Sequence, residues 1–496
     1  MHDYSKLGFK AGLEIHQQLD IGSKLFCRCP AYLRSDKPNV IIRRRLHPVA
    51  GESGEVDIAA AHEASFNKEF IYEGYSDSNC LLEYDDSPPY EISQTALDEA
   101  LKIALLLNCE IYPVTQIMRK MVIDGSNTSG FQRSVLIAHD GFIETSFGKV
   151  RVDTLCVEED SARIIEKDAG KAVYRLDRLG IPLIEIATAP DMMNPEQVKE
   201  AALKIGEILR ACKVKRGIGT IRQDVNVSVK GHGRVEIKGF QDPAMMVKTI
   251  DKEIERQLLA IKEGKTNGEV RNALDDGTSK FMRPMPGKDR MYPETDLPLL
   301  KIGRDKLNAL KKNLPKLRHE IKAELKKKGL SDELINLVLD EGLDEFNVLM
   351  KVHSNYENQD SQTLGFRKPS RDANLVAKMI TLWRNEFATK QKKSFEQIKE
   401  VLNEVVLEKV LENVRDGKIN DGDVKQVLLK VVNGENVEDA LKVERIDENK
   451  LEEEIAKIVK EKPGATSGAY MGMIISKLGT GIDKRKAMEI LNKSIM

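Results

Sequence analysis

The sequence predicts an α+β protein, with a mixed, largely antiparallel sheet and helices in the first part of the chain and helices alone in the rest. Two observations lead to this prediction. Glycine and proline become rare near residue 300, since fourteen of the seventeen prolines and 22 of the 34 glycines precede it. Beyond that point apolar residues recur at intervals of three and four, the period of an amphipathic helix. The first part instead alternates short strand patterns with helices.

The composition is that of a globular protein with several domains. Its 496 residues exceed the usual size of a single core, and we expect a sheet-containing domain over 1–300, a helical domain over 301–415 and a helical tail over 416–496. No stretch approaches the roughly 18 apolar residues of a membrane span, and the first residues form no apolar signal region, so a cytoplasmic location is expected. The net charge of −1 argues against non-specific polyanion binding by the whole surface.

In the first part, five segments have strand patterns and two have helical patterns. The second helix begins at Asn194-Pro195, an N-cap followed by a first-turn proline. Turns separate the strands without regular βαβ spacing, which favours a mixed or largely antiparallel sheet with helices on one face. The predicted strands are 9–19, 149–158, 181–188, 217–230 and 234–239.

Several of these strands carry acidic residues on a polar face. Alternation along "GLEIH" places Glu14 and His16 together, away from the apolar side chains. Glu185 lies in an otherwise apolar stretch, where a carboxylate is costly unless it is paired or bound to a cation. Oxygen-rich clusters with one imidazole suit Mg²⁺ or Mn²⁺, so these residues could form a metal site with Glu158 or Glu159 of "LCVEEDSAR". A solvated outer sheet face is the alternative, because spacing alone does not show that the segments meet.

Two other strands and one loop also carry polar residues. Arg222 and Asp224 share a face of "GTIRQDVNVSVK", and Lys238 lies on the polar face of "RVEIKGF". The segment "VIDGSNTSGFQRS" (122–134) is dense in Gly, Asn, Ser and Thr, whose amides and hydroxyls can line an anion. A plain hairpin loop accounts for it equally well.

Basic residues are concentrated at two later positions. Arg283 and Arg290 lie in a proline-stiffened segment, which suits arginines that bind a carboxylate or a phosphate. Residues 305–329 hold nine basic and three acidic residues. We expect a basic helix there, which is either a solvated face or a nucleic-acid patch.

The six cysteines do not resemble a disulfide framework in so long a chain, and no CxxC occurs. Cys27-Arg28-Cys29 could be half of a zinc site, but no second half is visible in the sequence. We therefore favour reduced thiols without a metal.

Taken together, these segments resemble a known family. The resemblance is to the archaeal E-type subunit of glutamyl-tRNA(Gln) amidotransferase, a relative of the bacterial B-type subunit, and it runs from about residue 8 to the carboxyl terminus. The segments that carry it are "GLEIHQQL...KLFCRCP", "HPVAGESGEVD", "VIDGSNTSGFQRS", "LCVEEDSAR", "IPLIEIATAPDM", "IGTIRQDVNVSV", "RVEIKGFQ", "RPMPGKDRMYPETDLP" and "GATSGAYMGMIISKLGTG".

The resemblance implies a cradle-shaped catalytic domain, a helical domain and a tail that holds tRNA. It implies a reaction in which ATP phosphorylates the γ-carboxyl of glutamate misacylated on tRNA(Gln), and ammonia displaces the phosphate to give Gln-tRNA(Gln). It also implies Mg²⁺ and a hetero-tetramer with an asparaginase-like D-type subunit, which supplies the ammonia. This chain has no amidase signature of its own.

The resemblance implies roles for the residues whose positions match the motifs of the family. Glu14, His16, Glu158 and Glu185 would hold the divalent metal, with Glu159 as the alternative to Glu158. The residues expected near ATP are Ser126, Asn127, Ser129, Gln132, Arg222, Asp224 and Lys238.

One departure from the family pattern concerns an insertion. Archaeal members usually carry a segment that resembles part of an aspartyl-tRNA synthetase. It would lie near "RNALDDGTSKFMRP" here, and this chain has no such segment at that position. The missing insertion favours an alternative role of the bacterial B type, with an amidase partner and with Asp-tRNA(Asn) as a second substrate. A third hypothesis is a non-catalytic tRNA-binding scaffold, in which replacing Glu14 or Glu185 would leave function unchanged.

Overall fold

The computed structural model describes residues 2–51, 54–240, 242–285, 290–354, 369–442, 448–478 and 484–495. It confirms the predicted α+β class, with a large mixed sheet and many helices. Parts of four segments that carry the family resemblance, at 52–53, 241, 286–289 and 479–481, lie outside these ranges.

The strands all lie in the first part of the described chain. They are β1 (Lys10–Gln18), β2 (Val40–Arg44), β3 (Glu69–Gly74), β4 (Glu110–Ile111), β5 (Val114–Thr115), β6 (Ile117–Met121), β7 (Phe131–Thr145), β8 (Gly148–Glu159), β9 (Arg163–Lys167), β10 (Lys171–Arg175), β11 (Pro182–Thr188), β12 (Ile221–Ser228), β13 (Val235–Phe240), β14 (Glu269–Ala273), β15 (Ser279–Pro284), β16 (Met291–Pro293) and β17 (Leu300–Lys301).

Helices are found throughout the described chain. They are α1 (Ile58–Ala64), α2 (Gln94–Leu106), α3 (Pro195–Ala211), α4 (Pro243–Lys262), α5 (Arg304–Lys312), α6 (Arg318–Lys327), α7 (Asp332–Glu341), α8 (Leu343–Ser354), α9 (Pro369–Ala377), α10 (Trp383–Gln391), α11 (Phe395–Val401), α12 (Glu404–Arg415), α13 (Asp421–Val432), α14 (Val437–Ala440), α15 (Glu448–Glu461), α16 (Ser467–Leu478) and α17 (Lys484–Ile495), with a π-helical segment at Lys378–Leu382.

The large sheet has eleven strands, in the order β15-β14-β13-β12-β1-β11-β8-β7-β6-β16, with β4 paired to β7. Among these described strands β13 and β14 pair in parallel, and the other pairings are antiparallel. A smaller sheet has the order β2-β3-β10-β9, and β5 pairs with β17. The five predicted strands correspond to β1, β8, β11, β12 and β13.

One face of the large sheet is covered by helices. The apolar residues of β1 that alternate with Glu14 and His16 are fully buried, and they share one core with residues of α2, α3 and α4. The side chain of Asn194 accepts a hydrogen bond from the amide of Gln197, so the predicted cap of α3 is present. Because the apolar face is covered in this way, the polar side chains that alternate with these apolar residues, such as Glu14 and His16, project from the opposite face.

The chain divides into two compact units, residues 1–317 and 318–496. The first unit extends beyond residue 300 because α5 packs on α2, where Lys306 Nζ lies 2.6 Å from a carboxylate oxygen of Asp98. The predicted single basic helix over 305–329 is wrong. The structure has α5 and α6 with a break at Asn313–Leu317, and Pro315 within the break lacks the amide hydrogen that a continuous helix needs.

The described residues of the second unit form two apolar clusters. One includes residues of the helices α6 to α14, from Leu325 to Ala440. The other includes residues of α15, α16 and α17, from Leu451 to Leu491. The boundary that we expected at 415 therefore falls inside the first cluster, because α13 packs on α12. No helix in the described part of the chain is long and apolar enough to cross a membrane.

Candidate active site

The polar face of the large sheet carries a group of charged side chains at its centre, on β1 and its two neighbours. β1 pairs antiparallel with β11 on one side and with β12 on the other. In this register His16 lies opposite both Glu185 and Arg222, and Glu14 lies opposite Asp224. Directly opposite residues of a sheet project to the same face, so the three strands bring their polar residues together.

Four of the side chains that the resemblance assigns to a metal converge here. The Nε2 atom of His16 lies 3.3 Å from Glu185 Oε2 and 3.5 Å from Glu14 Oε1. Glu158 comes from the next strand, β8, where it is only 1% exposed. The ligand atoms of His16, Glu158 and Glu185 lie within 4.8 Å of one another, as do those of Glu14, His16 and Asp224.

The register of β8 determines whether Glu158 or Glu159 belongs to the cluster. Glu158 alternates with Cys156, which is opposite Glu185, so it projects to the same face as Glu185. Ser134 Oγ donates a 2.6 Å hydrogen bond to Glu158 Oε1. Glu159 projects to the other face and pairs with Arg133 at 3.3 Å. Glu158 is therefore the member of the cluster.

Lys120 is a cation in this cluster that the sequence analysis did not identify. It lies on β6, and its ammonium group contacts Glu158 and donates a 3.0 Å hydrogen bond to Glu185 Oε2. β6 was not predicted as a strand, because "IMRKM" has two adjacent charges and no clear alternation. The pairing of Lys120 with Gln132 on β7 places it beside the cluster.

The electrostatics of the cluster indicate a shortage of positive charge. Burial, together with the charge of Glu185, raises the pKa of Glu158 and of Glu14. Burial also opposes ionisation of Glu185, but Lys120 and His16 hold its pKa well below the usual range. Burial disfavours the imidazolium form of His16, yet the hydrogen bond to Glu185 and its charge raise the pKa of His16 above its ordinary value. Cations are thus favoured wherever they can approach these carboxylates.

The donor set fits a hard divalent cation. Three or four carboxylates with one imidazole offer mainly oxygen ligands, which Mg²⁺ and Mn²⁺ prefer. The carboxylates are only partly neutralised by Lys120 and His16, and Glu14 and Glu185 keep 25% and 18% of their side-chain surface exposed. The cluster is therefore reachable from solvent and negatively charged.

A second polar group lies beside the first, on β12 and β13. Lys238 Nζ donates a 2.7 Å hydrogen bond to Asp224 Oδ2 and also contacts Glu236. Burial opposes the charge of Lys238, but the two carboxylates raise its pKa. Arg222 instead binds Asp160, with 2.9 Å between Nη2 and Oδ1. Of the residues expected near ATP, Asp224 therefore lies opposite Glu14, and Lys238 contacts Asp224. Both residues lie at the edge of the cluster.

The loop expected near ATP joins β6 to β7. Gln132 contacts the cluster directly, because its Nε2 donates to Glu158 Oε2 at 3.1 Å. Asn127 is buried, and its side chain lies 3.5 Å from the hydroxyl of Ser161. Ser126 and Ser129 are partly exposed; the carbonyl of Ser126 accepts from the amide of Ala162, and the hydroxyl of Ser129 donates to the carbonyl of Phe131. The contacts of these last three residues are thus within the loop and its neighbours, not with the cluster.

Arg290, from the predicted arginine segment, is also close to the cluster. Its Nε donates a 3.1 Å hydrogen bond to the carbonyl of Met121, the residue after Lys120. Burial and the neighbouring Arg283 lower the pKa of Arg290, while Glu158 and Glu185 act in the opposite direction. Arg290 and Lys120 therefore lie on the same side of the acidic cluster.

The loop before β7 packs tightly against the small sheet at Gly125. Its φ angle is +90°, and an added Cβ would lie 2.2 Å from Cδ1 of Phe70. We expect Gly125→Ala to lower the free energy of unfolding of the first unit by about 2 kcal/mol through overpacking, in addition to the strain of a positive φ. Urea denaturation, followed by circular dichroism, measures this change.

Gly148→Ala is the matched control for that variant. Its φ angle is +118°, and no atom lies within 4 Å of the added Cβ. It reports the strain of the backbone without the clash. Equal destabilisation by the two variants would contradict the close packing of the loop on Phe70.

Comparison with known proteins gives a consistent set of relatives. The family described as the GatB/GatE catalytic domain matches residues 9–308. The chain is 34% identical to the E-type subunit of glutamyl-tRNA(Gln) amidotransferase from Methanocaldococcus jannaschii over 648 positions, which cover 99% of both chains. It is 32% identical to the protein of the same name from Methanococcus maripaludis strain C7 over 644 positions, covering 100% of this chain and 99% of the relative.

A third relative has higher identity over a shorter span. The protein of that name from Methanobrevibacter smithii is 48% identical over 283 positions, covering 56% of this chain and 46% of the relative. The two long alignments exceed the 496 residues of this chain, so those relatives contain a stretch without a counterpart here.

Proposed function

The chain belongs to the GatB/GatE family of tRNA-dependent amidotransferases, and from this we propose that it converts Glu-tRNA(Gln) to Gln-tRNA(Gln). In the proposed reaction the γ-carboxylate of the tRNA-bound glutamate takes the γ-phosphoryl group of ATP, with release of ADP. Ammonia then attacks the carbonyl carbon, and phosphate leaves. A carboxylate is a poor electrophile, so the phosphorylation makes the second step possible. Such phosphoryl transfer depends mainly on positioning and on neutralising charge.

The observation that carries this proposal is the convergence of Glu14, His16, Glu158 and Glu185 on one face of the sheet. In the proposal these four residues hold Mg²⁺. A bound divalent ion supplies charge neutralisation and alignment of phosphate oxygens. The pairing of three different strands in register is what places the four side chains together.

The chain's own cations would assist the same charge neutralisation. Lys120 and Arg290 lie at the cluster, and Lys238 lies beside Glu14 through Asp224. Lysine and arginine stabilise phosphoryl oxygens by charge and by directed hydrogen bonds. Gln132 and Ser134 donate to Glu158 and hold its carboxylate in one orientation. We therefore assign ATP to this face, with the loop at 122–130 on one side and β12 and β13 on the other.

The ammonia and the tRNA come from outside this chain. We assign the ammonia to an asparaginase-like D-type subunit, in a hetero-tetramer of two copies of each protein. The tRNA would be bound by the helical second unit.

An assay of glutamine formation tests the proposal without the ammonia-supplying partner. The full chain is incubated with Glu-tRNA(Gln), ATP, Mg²⁺ and free ammonium, and the aminoacyl group is analysed after deacylation. We expect glutamine only when all four are present, with ADP and phosphate released in step with it. No glutamine under these conditions, or glutamine without ATP, would refute the proposed reaction.

A role of the bacterial B type is the competing proposal. It differs in its amidase partner and in its use of Asp-tRNA(Asn). The missing insertion favours it, whereas the relatives named above are all E-type subunits. Adding Asp-tRNA(Asn) to the ammonium assay separates the two, because only the B-type role predicts asparagine. The partner that co-purifies with the chain gives an independent answer.

Removal of the final helices is expected to weaken tRNA binding. The cut is placed after Lys442, because α13 and α14 belong to the preceding core and a cut at 416 would remove Val424 and Leu428 from that core. α15 to α17 have a separate apolar cluster. We expect the KM for Glu-tRNA(Gln) in the ammonium assay to rise about tenfold or more as contacts to tRNA phosphates are lost, while kcat changes little.

The controls for the truncation are its fold and its ATP dependence. Circular dichroism should show the helical content expected for the remaining residues, and the KM for ATP should not change. An unaltered KM for tRNA would argue against tRNA binding by the tail.

A further inference from the structure

A second cluster of metal-ligating side chains lies outside the candidate active site. The loop after β1 carries Cys27 and Cys29, and the loop after β3 carries Cys80 and Glu83. One ligand atom from each of these four residues lies within 4.8 Å of the others. We propose that Cys27, Cys29, Cys80 and Glu83 bind one structural Zn²⁺.

The distances within the cluster fit a tetrahedral site. Cys27 Sγ lies 3.6 Å from Glu83 Oε1, and Cys29 Sγ lies 3.7 Å from Glu83 Oε2. With bonds of about 2.3 Å to sulfur and about 2.0 Å to oxygen, two such ligands around tetrahedral Zn²⁺ would be about 3.5 Å apart. Only small movements are therefore needed to admit the ion.

The backbone holds both loops in the required form. Around Cys27 and Cys29, the amide of Lys24 donates to the carbonyl of Cys29 at 2.9 Å, and the amide of Ala31 donates to the carbonyl of Gly22 at 3.0 Å. These bonds fold the segment into a compact loop with both thiols on one side. In the second loop, the amide of Cys80 donates a 2.6 Å hydrogen bond to Glu83 Oε2. The four donors are thus positioned before any metal binds.

A buried lysine accompanies the cluster. Lys24 is 1% exposed, and its Nζ donates hydrogen bonds of 2.5 Å to Glu83 Oε1 and 3.1 Å to the carbonyl of Leu176. Three thiolates and one carboxylate exceed the charge of Zn²⁺ by two, and Lys24 reduces this excess by one. A buried lysine beside a carboxylate alone would be a simple ion pair, but the three thiols around the same carboxylate favour a metal.

The presence of four protein ligands, of which Cys27 and Glu83 are buried, indicates a structural site, not a catalytic one. Catalytic zinc sites leave one position open for water or substrate, whereas structural sites have four protein ligands. Here the ion would join the loop after β1 of the large sheet to the loop after β3 of the small sheet. Such a link stabilises the fold by closing a long segment of chain.

The site also supports the candidate nucleotide loop. The hydroxyl of Thr128, which is buried, donates a 2.8 Å hydrogen bond to the carbonyl of Glu83. Thr128 lies between Asn127 and Ser129, in the loop expected near ATP. Ordering of Glu83 by the metal would therefore order this loop as well.

Zinc content of the full-length chain tests the inference. The protein is loaded with Zn²⁺, freed of weakly bound metal with a chelator and analysed by mass spectrometry of the metal. We expect one Zn²⁺ per wild-type chain and none in Cys80→Ser. Cys212→Ser, which alters a thiol at the end of α3, and Glu185→Gln, which alters the other cluster, should each keep one. Equal retention by wild type and Cys80→Ser, or none in the wild type, would overturn the proposal.

Cobalt provides a second readout that does not depend on the Cys80 variant. Co²⁺ bound to the wild type should show sulfur-to-cobalt charge transfer and the strong visible bands of a tetrahedral complex, and Glu83→Cys should bind Co²⁺ more tightly with the same stoichiometry. Glu83→Cys places a fourth thiolate in a set that already has three. Absence of the charge-transfer band in the wild type, or unchanged affinity in Glu83→Cys, would contradict this ligand set. Neither measurement uses tRNA or ATP, so its outcome is separate from that of the proposed reaction.

Discussion

Glu185→Gln is expected to abolish ATP-dependent formation of Gln-tRNA(Gln) while tRNA binding survives. Glu185 links other members of the cluster, since its Oε2 contacts both His16 and Lys120. The amide has a similar shape but no charge and offers one oxygen instead of two. We expect kcat in the ammonium assay to fall by more than about 10²-fold, the loss typical of removing one electrostatic contact to a developing charge.

Glu144→Gln is the matched control for this variant. Glu144 lies on β7 of the same sheet but is exposed, so its replacement should leave kcat unchanged. Filter binding with Glu-tRNA(Gln) measures whether tRNA affinity survives in both variants. Unchanged turnover in Glu185→Gln would refute the metal assignment.

Lys120→Met is expected to destabilise the first unit and to make it depend on divalent ions. Lys120 is the cation shared by Glu158 and Glu185, and methionine keeps much of its volume without its charge. Removing one partner of a buried ion pair leaves an uncompensated charge, which costs about 3 kcal/mol or more. We expect a lower free energy of unfolding in the presence of a chelator, measured by urea denaturation.

Magnesium should partly restore the stability of Lys120→Met. The ion would supply the positive charge that the variant lacks, so added Mg²⁺ should stabilise this variant more than the wild type. Lys149→Met, an exposed lysine on β8, is the control and should be neutral in both conditions. If Mg²⁺ has the same effect on Lys120→Met and on the wild type, the cluster does not bind the ion.

The sequence was informative where alternation along a strand is strong. The shared face of Glu14 and His16, and the unusual position of Glu185 in an apolar run, both follow from the period of two along β1 and β11. The order of strands in the sheet does not follow from this period. For that reason Lys120, which comes from β6 across the sheet, was missed, and Glu158 could not be distinguished from Glu159 until the register was known.

Contacts between residues far apart in the sequence also explain two other differences between the predictions and the structure. The second half of the cysteine cluster lies about fifty residues beyond Cys29, in a loop whose position depends on the small sheet. Similarly, the apolar period of α12 and α13 predicts two helices but does not show that they share one core. The predicted domain boundary at 415 therefore does not coincide with the boundary between the two apolar clusters, which lies between Ala440 and Leu451.

The most direct test of the metal assignment is the position of a bound ion. Crystals of the full chain grown with Mn²⁺ and a non-hydrolysable ATP analogue would be examined by anomalous diffraction at the manganese edge. We expect a manganese peak in contact with Glu14, His16, Glu158 and Glu185, with analogue phosphates beside it. A manganese ion bound to the analogue elsewhere on the chain, with those four side chains unchanged, would contradict the account.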